Sequence, residues 1–236
     1  MKKLGIIGAM TVEVALLKEN MENVAVSTHA GMEFCEGKLG GLDAVVVQCG
    51  VGKVNAAMCA QILCSCYGVT HLVNTGIAGS LNAALDIGDL VISRDAMYHD
   101  FDCNAFGYPH GKVPGMDVIA FPADETLIGY AVDAAEAVNP GHCRVGRVAS
   151  GDQFVASREL KDRIIALTQG LCTEMEGAAI AQAAYRNGVP FVILRAISDK
   201  ADDSAEMDYP TFERIAAHHC AQITLRLAST LKEVGM

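Results

Sequence analysis

Leu194-Arg195-Ala196-Ile197-Ser198-Asp199 is the stretch on which the reading of the fold turns. An apolar run that ends in an Arg and a Ser-Asp pair puts ionisable groups at the carboxyl end of a strand, where parallel sheets keep their ligands. Two other apolar runs end in the same way. Leu4-Gly5-Ile6-Ile7-Gly8 is followed by Glu13, and the run before Glu174-Met175-Glu176 closes in two carboxylates. Three strand ends each supply an acid, which makes an active site the leading expectation.

Outward from that run, short β-branched segments alternate with helical patterns. Strands are expected at 5–7, 44–48, 71–74, 90–93, 145–149, 171–174 and 191–196, and helices at 11–21, 53–66, 124–137, 157–167 and 177–187. A last helix is marked by Phe212, Ile215, Ala216, His219, Ile223 and Leu227 at three- and four-residue steps. The alternation predicts an α/β domain over 1–236 with a mostly parallel central sheet. The segment 98–122 breaks the rhythm. It holds three of the six prolines and the aromatics Phe101, Phe106 and Tyr108, and reads as a long functional loop.

Composition narrows the function. Of 236 residues, 51% are hydrophobic and 19% charged, enough apolar surface for a large core and a subunit interface. With 18 basic and 28 acidic side chains the formal charge is −10, the wrong sign for nucleic acid or an anionic membrane surface. A small neutral or cationic ligand fits better. Nine cysteines without a C-x-x-C pattern suit reduced thiols in the cytoplasm. No run approaches the roughly 20 apolar residues that span a bilayer. The apolar start is broken by Thr11 and Glu13, so it is kept as the first strand rather than a signal peptide.

Several motifs carry a structural reading beside a functional one. Gly50-Val51-Gly52-Lys53 resembles the end of a phosphate loop but lacks the leading glycine and the metal-binding hydroxyl, and Gly5-x-x-Gly8 lacks the dinucleotide spacing. Both read as tight turns that let a ligand near the backbone or serve the turn alone. Asn74-Thr75-Gly76-Ile77-Ala78-Gly79-Ser80 offers a cradle of backbone N–H groups, and Ser150-Gly151-Asp152-Gln153-Phe154-Val155 a second turn with a ring able to stack on a heterocycle. Glu13 is either a first-turn helix acid or a catalytic group. Glu174 and Glu176 would share one face of an extended strand, or Glu176 opens a helix. Asp199 is either a helix cap or an acid. Arg195 needs a charge partner inside its apolar strand, with Glu13 or Glu176 able to supply it. His218-His219-Cys220 has adjacent side chains pointing apart and no companion ligand, so no metal is expected.

Taken in order, Ile6-Ile7-Gly8-Ala9-Met10 with Glu13, Gly50-Val51-Gly52-Lys53-Val54, Asn74-Thr75-Gly76, Tyr98-His99-Asp100, Ala105-Phe106-Gly107-Tyr108, Ser150-Gly151-Asp152, Glu174-Met175-Glu176 and Arg195-Ala196-Ile197-Ser198-Asp199 resemble the 5′-methylthioadenosine/S-adenosylhomocysteine nucleosidases of the purine nucleoside phosphorylase superfamily. The resemblance runs nearly end to end. It implies a three-layer α/β/α sandwich with a mixed sheet, a homodimer, no cofactor, and irreversible hydrolysis of an N-glycosidic bond to adenine and a 5-thioribose sugar.

It also implies roles. Asp199 would protonate purine N7 from a pocket that raises its pKa, and Glu13, with Arg195 nearby, would deprotonate the attacking water. Glu176 and the Met175 backbone would hold the ribose hydroxyls, and Phe154 and the Val155 backbone the adenine. Met10, Val51 and Tyr209 would line the alkylthio end, with Phe106 and Pro114 arriving from the partner subunit. Ala78, Gly79 and Ser198 complete the implied substrate contacts. Ile77 stands where some family members carry a hydroxyl near the acid. The rival readings are a phosphorolytic enzyme of the same superfamily, a nucleosidase for an aminodeoxyfutalosine, and a nucleoside-binding domain without activity. A phosphate-using enzyme needs clustered Arg or Lys, and the Met10-Thr11-Val12-Glu13 turn offers none.

Overall fold

The structure, a computed structural model, describes residues 2–202 and 205–235, without the side chains of 206–208. Its strands are β1 Leu4–Gly8, β2 Met21–His29, β3 Met32–Leu39, β4 Leu42–Gln48, β5 His71–Ser80, β6 Leu90–Tyr98, β7 Phe121–Pro122, β8 Cys143–Ser150, β9 Cys172–Glu174 and β10 Phe191–Asp199. Its helices are α1 Thr11–Glu19, α2 Lys53–Cys66, α3 Glu125–Val138, α4 Arg158–Thr168, α5 Gly177–Asn187 and α6 Ala205–Glu233.

Strands β4, β1, β5 and β10 lie side by side and parallel. Strands β6, β8 and β9 form a second parallel set. Antiparallel pairings of β10 with β6 and of β5 with β9 join the two sets, so the strands β5-β10-β6-β8-β9 close into a circuit. The expected parallel order therefore holds within each set. Across the described residues five of the ten pairings are antiparallel, making the sheet a mixed one.

The continuous apolar runs of the central strands follow from burial on both faces. Ile7, Val45 and Val47 point into a core beneath α2 and α5, while Leu4, Ile6 and Val46 point into a second core beneath α1, α3 and α6. Helices thus cover both faces of the sheet. On α6 the buried stripe is Ala216, Cys220, Ile223 and Leu227, and Ile215, expected to belong to it, is 66% exposed.

Several boundaries differ from the sequence reading. The hairpin of β2 and β3 was not expected there: β2 is a sheet edge with exposed side chains, so it lacks alternating burial. Strand β5 continues to Ser80, so 74–80 is strand rather than a cradling turn. Strand β6 runs on to Tyr98. The loop that follows is pinned by buried His99 and Met116, half-buries Phe101 against Tyr98, and leaves Phe106 and Tyr108 exposed.

Candidate active site

Arg195 is wholly buried in the middle of β10, where an unpaired guanidinium would be prohibitively costly. Opposite it on β5 is Gly76, and a Cβ there would collide with the Arg195 guanidinium and the Glu13 carboxylate. The glycine makes room for an ion cluster inside the sheet. Arg195 Nη2 donates to Asn74 Oδ1 at 2.6 Å, to Glu174 Oε2, and to Glu176 Oε2 at 3.5 Å, while Nη1 lies 3.7 Å from Glu13 Oε1. Burial opposes its charge, but the three glutamates together outweigh burial and keep the guanidinium protonated. The shortest partner is Glu174, not Glu13 or Glu176 as expected.

Each glutamate is held by backbone donors. Glu13 Oε2 accepts the N–H groups of Ala9 at 2.6 Å and Met10 at 2.9 Å, and its Oε1 accepts from Ile77 at 3.1 Å. Glu13 is therefore both the acid of the first turn of α1 and a group of the site. Burial pushes its carboxyl above the ordinary range, against the pull of Arg195 and those three N–H groups. Glu174 ends β9 and accepts from Gly177 N, the first of α5, at 2.8 Å, from Glu176 N just before it at 3.2 Å, and from Ser150 Oγ. Glu176 is the residue before α5 rather than a strand residue, so the two acids converge through Arg195 and not through strand alternation. Its Oε1 accepts from Gly52 N at 2.8 Å. Burial and the neighbouring Glu174 raise the Glu176 carboxyl to about 7.

The Gly52 N–H belongs to the turn that resembled a phosphate loop. Gly50 and Gly52 have φ of +84° and +100°, which favour glycine. Lys53 turns away to Asp100 at 2.5 Å and stands 3.7 Å from Asp152, so its charge is already matched.

A cleft with about 110 Å³ of enclosed space opens beside this cluster. Asp199, 2% exposed at the end of β10, reaches it with Oδ2 accepting from Ser198 Oγ and Oδ1 from Ala201 N, each at 2.8 Å. Ile77 stands in the neighbouring wall, and Ser198 supplies a hydroxyl at Asp199. Phe154, 49% exposed, meets Tyr209 edge to face with ring centres 5.5 Å apart, and Tyr209 Oη lies 3.3 Å from Met10 Sδ. One wall is thus aromatic and sulfur-bearing, the other acidic.

The cleft brings together Met10, Glu13, Val51, Ala78, Gly79, Phe154, Val155, Met175, Glu176, Ser198, Asp199 and Tyr209. Arg195 lies behind its wall. Phe106 and Pro114 are outside it and exposed on the surface of the same chain. Sequence reasoning passed over Gln153 and Thr173, which also line it, and left Glu174 without a place in the site. The signal for Glu174 was available in the need of Arg195 for a strand-end partner. His218-His219-Cys220 is remote in character: His219 Nδ1 sits 3.1 Å from Gly88 O, and Cys220 is packed against Thr75 in the core.

Residues 3–229 match the sequence profile of the phosphorylase superfamily. Over 232 residues, 98% of either chain, the sequence is 40% identical to the 5′-methylthioadenosine/S-adenosylhomocysteine nucleosidase of Geobacillus kaustophilus. The fold superposes with a TM-score of 0.95 on the nucleosidase of that name from Neisseria meningitidis, solved with methylthio-immucillin-A, at 37% identity over 98% of this chain and 100% of that one. The chain belongs to the 5′-methylthioadenosine/S-adenosylhomocysteine nucleosidases of the phosphorylase superfamily. A futalosine hydrolase of Helicobacter pylori is also similar, at 31% identity, a TM-score of 0.93 and 98% coverage of both chains. Members of this superfamily can thus share one frame and differ in the nucleoside they are named for, which puts the choice of substrate in the cleft wall rather than in the fold.

Proposed function

We propose that this chain hydrolyses the N-glycosidic bond of 5′-methylthioadenosine and S-adenosylhomocysteine, with 5′-deoxyadenosine as a further substrate, releasing adenine and the corresponding sugar. The observation that carries hydrolysis is the charge of the cleft. Four carboxylates, Glu13, Glu174, Glu176 and Asp199, stand in its wall, and among the described residues no Lys, Arg or His does. Such a wall repels phosphate and favours the positive charge that develops on the sugar as the base departs.

In this reading Asp199 gives a proton to N7 while the C1′–N9 bond breaks and its electron pair leaves with the base, so adenine departs neutral. A water oxygen bonds to C1′ and passes a proton to Glu13, whose raised pKa suits a general base. Arg195 holds Glu174 and Glu176 in place, and Glu176 with the Met175 backbone holds the ribose hydroxyls. Phe154 covers the adenine, the Val155 backbone reads its edge, and Ala78, Gly79 and Ser198 shape the pocket around it. Met10, Val51 and Tyr209 form the apolar end for the alkylthio group. The chain acts as a homodimer in which Phe106 and Pro114 complete the partner's alkylthio end; the 81% exposure of Phe106 on its own chain supports this. No cofactor takes part.

The nine cysteines are all free, which supports a reducing, cytoplasmic setting. Among the described residues no helix is long and apolar enough to cross a membrane. Adenine release from purified protein supplied separately with methylthioadenosine, S-adenosylhomocysteine and an aminodeoxyfutalosine tests the substrate assignment. Preference for the first two is expected, and cleavage of the third alone would overturn it.

A further inference from the structure

Four buried side-chain atoms have no hydrogen-bond partner among the described residues: His99 Nε2, Asp100 Oδ1, Arg195 Nε and Thr173 Oγ1. Of these four residues, Thr173 lines the cleft. It is 4% exposed, so its hydroxyl is cut off from bulk water, a state that costs free energy until a partner arrives.

The sheet register fixes the face from which that side chain projects. Thr173 of β9 pairs with Gly79 of β5, and Gly79 pairs with Asp199 of β10. Directly paired residues project from the same face, so Thr173 and Asp199 face the cleft from either side of a residue with no side chain. A Cβ on Gly79 would come within 2.7 Å of Asp199 Oδ1. The bare glycine therefore lets Asp199 and Ala201 lie close against β5, on the face of the sheet from which Thr173 also projects. On its other side Thr173 pairs with Ala149 of β8, the strand that leads into Phe154 and Val155. The row is that of the base end of the cleft, whereas Glu13 and Glu176 gather at the sugar end around Arg195.

We propose that Thr173 is a specificity-determining residue whose hydroxyl hydrogen-bonds the bound purine base. A hydroxyl donates one hydrogen bond and accepts others, so it can meet either a ring nitrogen or an exocyclic amino group. The proposal rests on the nucleosidase reading for the identity of the ligand, but its test does not depend on turnover.

Calorimetric titration of free adenine into the wild type, Thr173→Val and Thr173→Ser compares the near-isosteric loss of the hydroxyl with its retention. Valine is expected to weaken adenine binding by about 3- to 10-fold, with a similar rise in KM for methylthioadenosine, and serine to stay within about twofold of the wild type. The Tm of the ligand-free valine variant should be unchanged or higher, because the orphaned hydroxyl is gone. Unchanged adenine affinity in the valine variant overturns the proposal. So does a lowered Tm restored by serine with adenine affinity unmoved, which would make the hydroxyl a purely structural group. If the wild type binds adenine but releases none from methylthioadenosine, the nucleosidase reading fails while the comparison of affinities still decides the role of Thr173.

Discussion

Asp199 and Glu176 carry the two residue-scale predictions. Replacing Asp199 with Asn keeps the shape of the site and removes the proton donor, so adenine release from methylthioadenosine should fall by about 10² to 10⁴. Near-normal turnover in that variant would remove Asp199 from its role. Glu176 gives a pH signature. Its carboxyl is raised from 4.5 to about 7 by burial beside Glu174, so the folded protein holds its proton more tightly than the unfolded chain. Its contribution to stability is fully present below about pH 4.5 and is lost as pH rises through about 7. Scanning calorimetry from pH 4.5 to 8 should show the wild-type Tm falling relative to that of Glu176→Gln across this window. Parallel Tm curves would contradict the assigned burial. At this scale the sequence was informative because ionisable side chains stood at the ends of apolar runs. It was silent on which acid Arg195 prefers, since distances between β9 and β10 depend on how the strand circuit closes.

At the scale of elements, β5 is the strand that the site is built on. Gly76 leaves the space filled by Arg195 and Glu13, and Gly79 the space beside Asp199. Gly76→Ala should therefore cost about 1 to 3 kcal/mol by overpacking and should depress turnover further by displacing Glu13 and Arg195. Urea titration and an adenine-release assay on the same preparation check both, and a variant of normal stability and activity would show that the cluster has slack. The central strands and the helices on both faces were legible from long apolar runs and three- to four-residue periodicity. The hairpin of β2 and β3 was not, because an exposed edge strand has no apolar face to reveal it. A signal for β3 alone did exist in Gly40-Gly41, the two-residue link from β3 to β4 with both φ angles positive, the geometry of a tight hairpin. The length of β5 was missed for another reason. Its glycines read as a turn, whereas they are there to let side chains of other elements lie against the strand.

For the whole molecule, the proposed dimer is tested at the surface loop after β6. Phe106 projects from a short 3-10 turn, 81% exposed, and the loop itself is anchored by buried groups on either side. The protein should sediment as a dimer, and Phe106→Ala should raise KM for methylthioadenosine by up to about tenfold while leaving the affinity for free adenine unchanged. An unchanged KM would place the loop outside the neighbouring site. Four of the 28 acidic side chains line the cleft, an arrangement that suits a reaction in which positive charge develops.

The central claim is that water, not phosphate, attacks the sugar. The initial rate of adenine release from methylthioadenosine, measured in phosphate-free buffer and again over rising phosphate with the sugar product identified, tests it most directly. The acidic cleft predicts full activity without phosphate and free methylthioribose at every concentration. Dependence on phosphate, with a sugar 1-phosphate as product, would contradict it and with it the role given to Glu13.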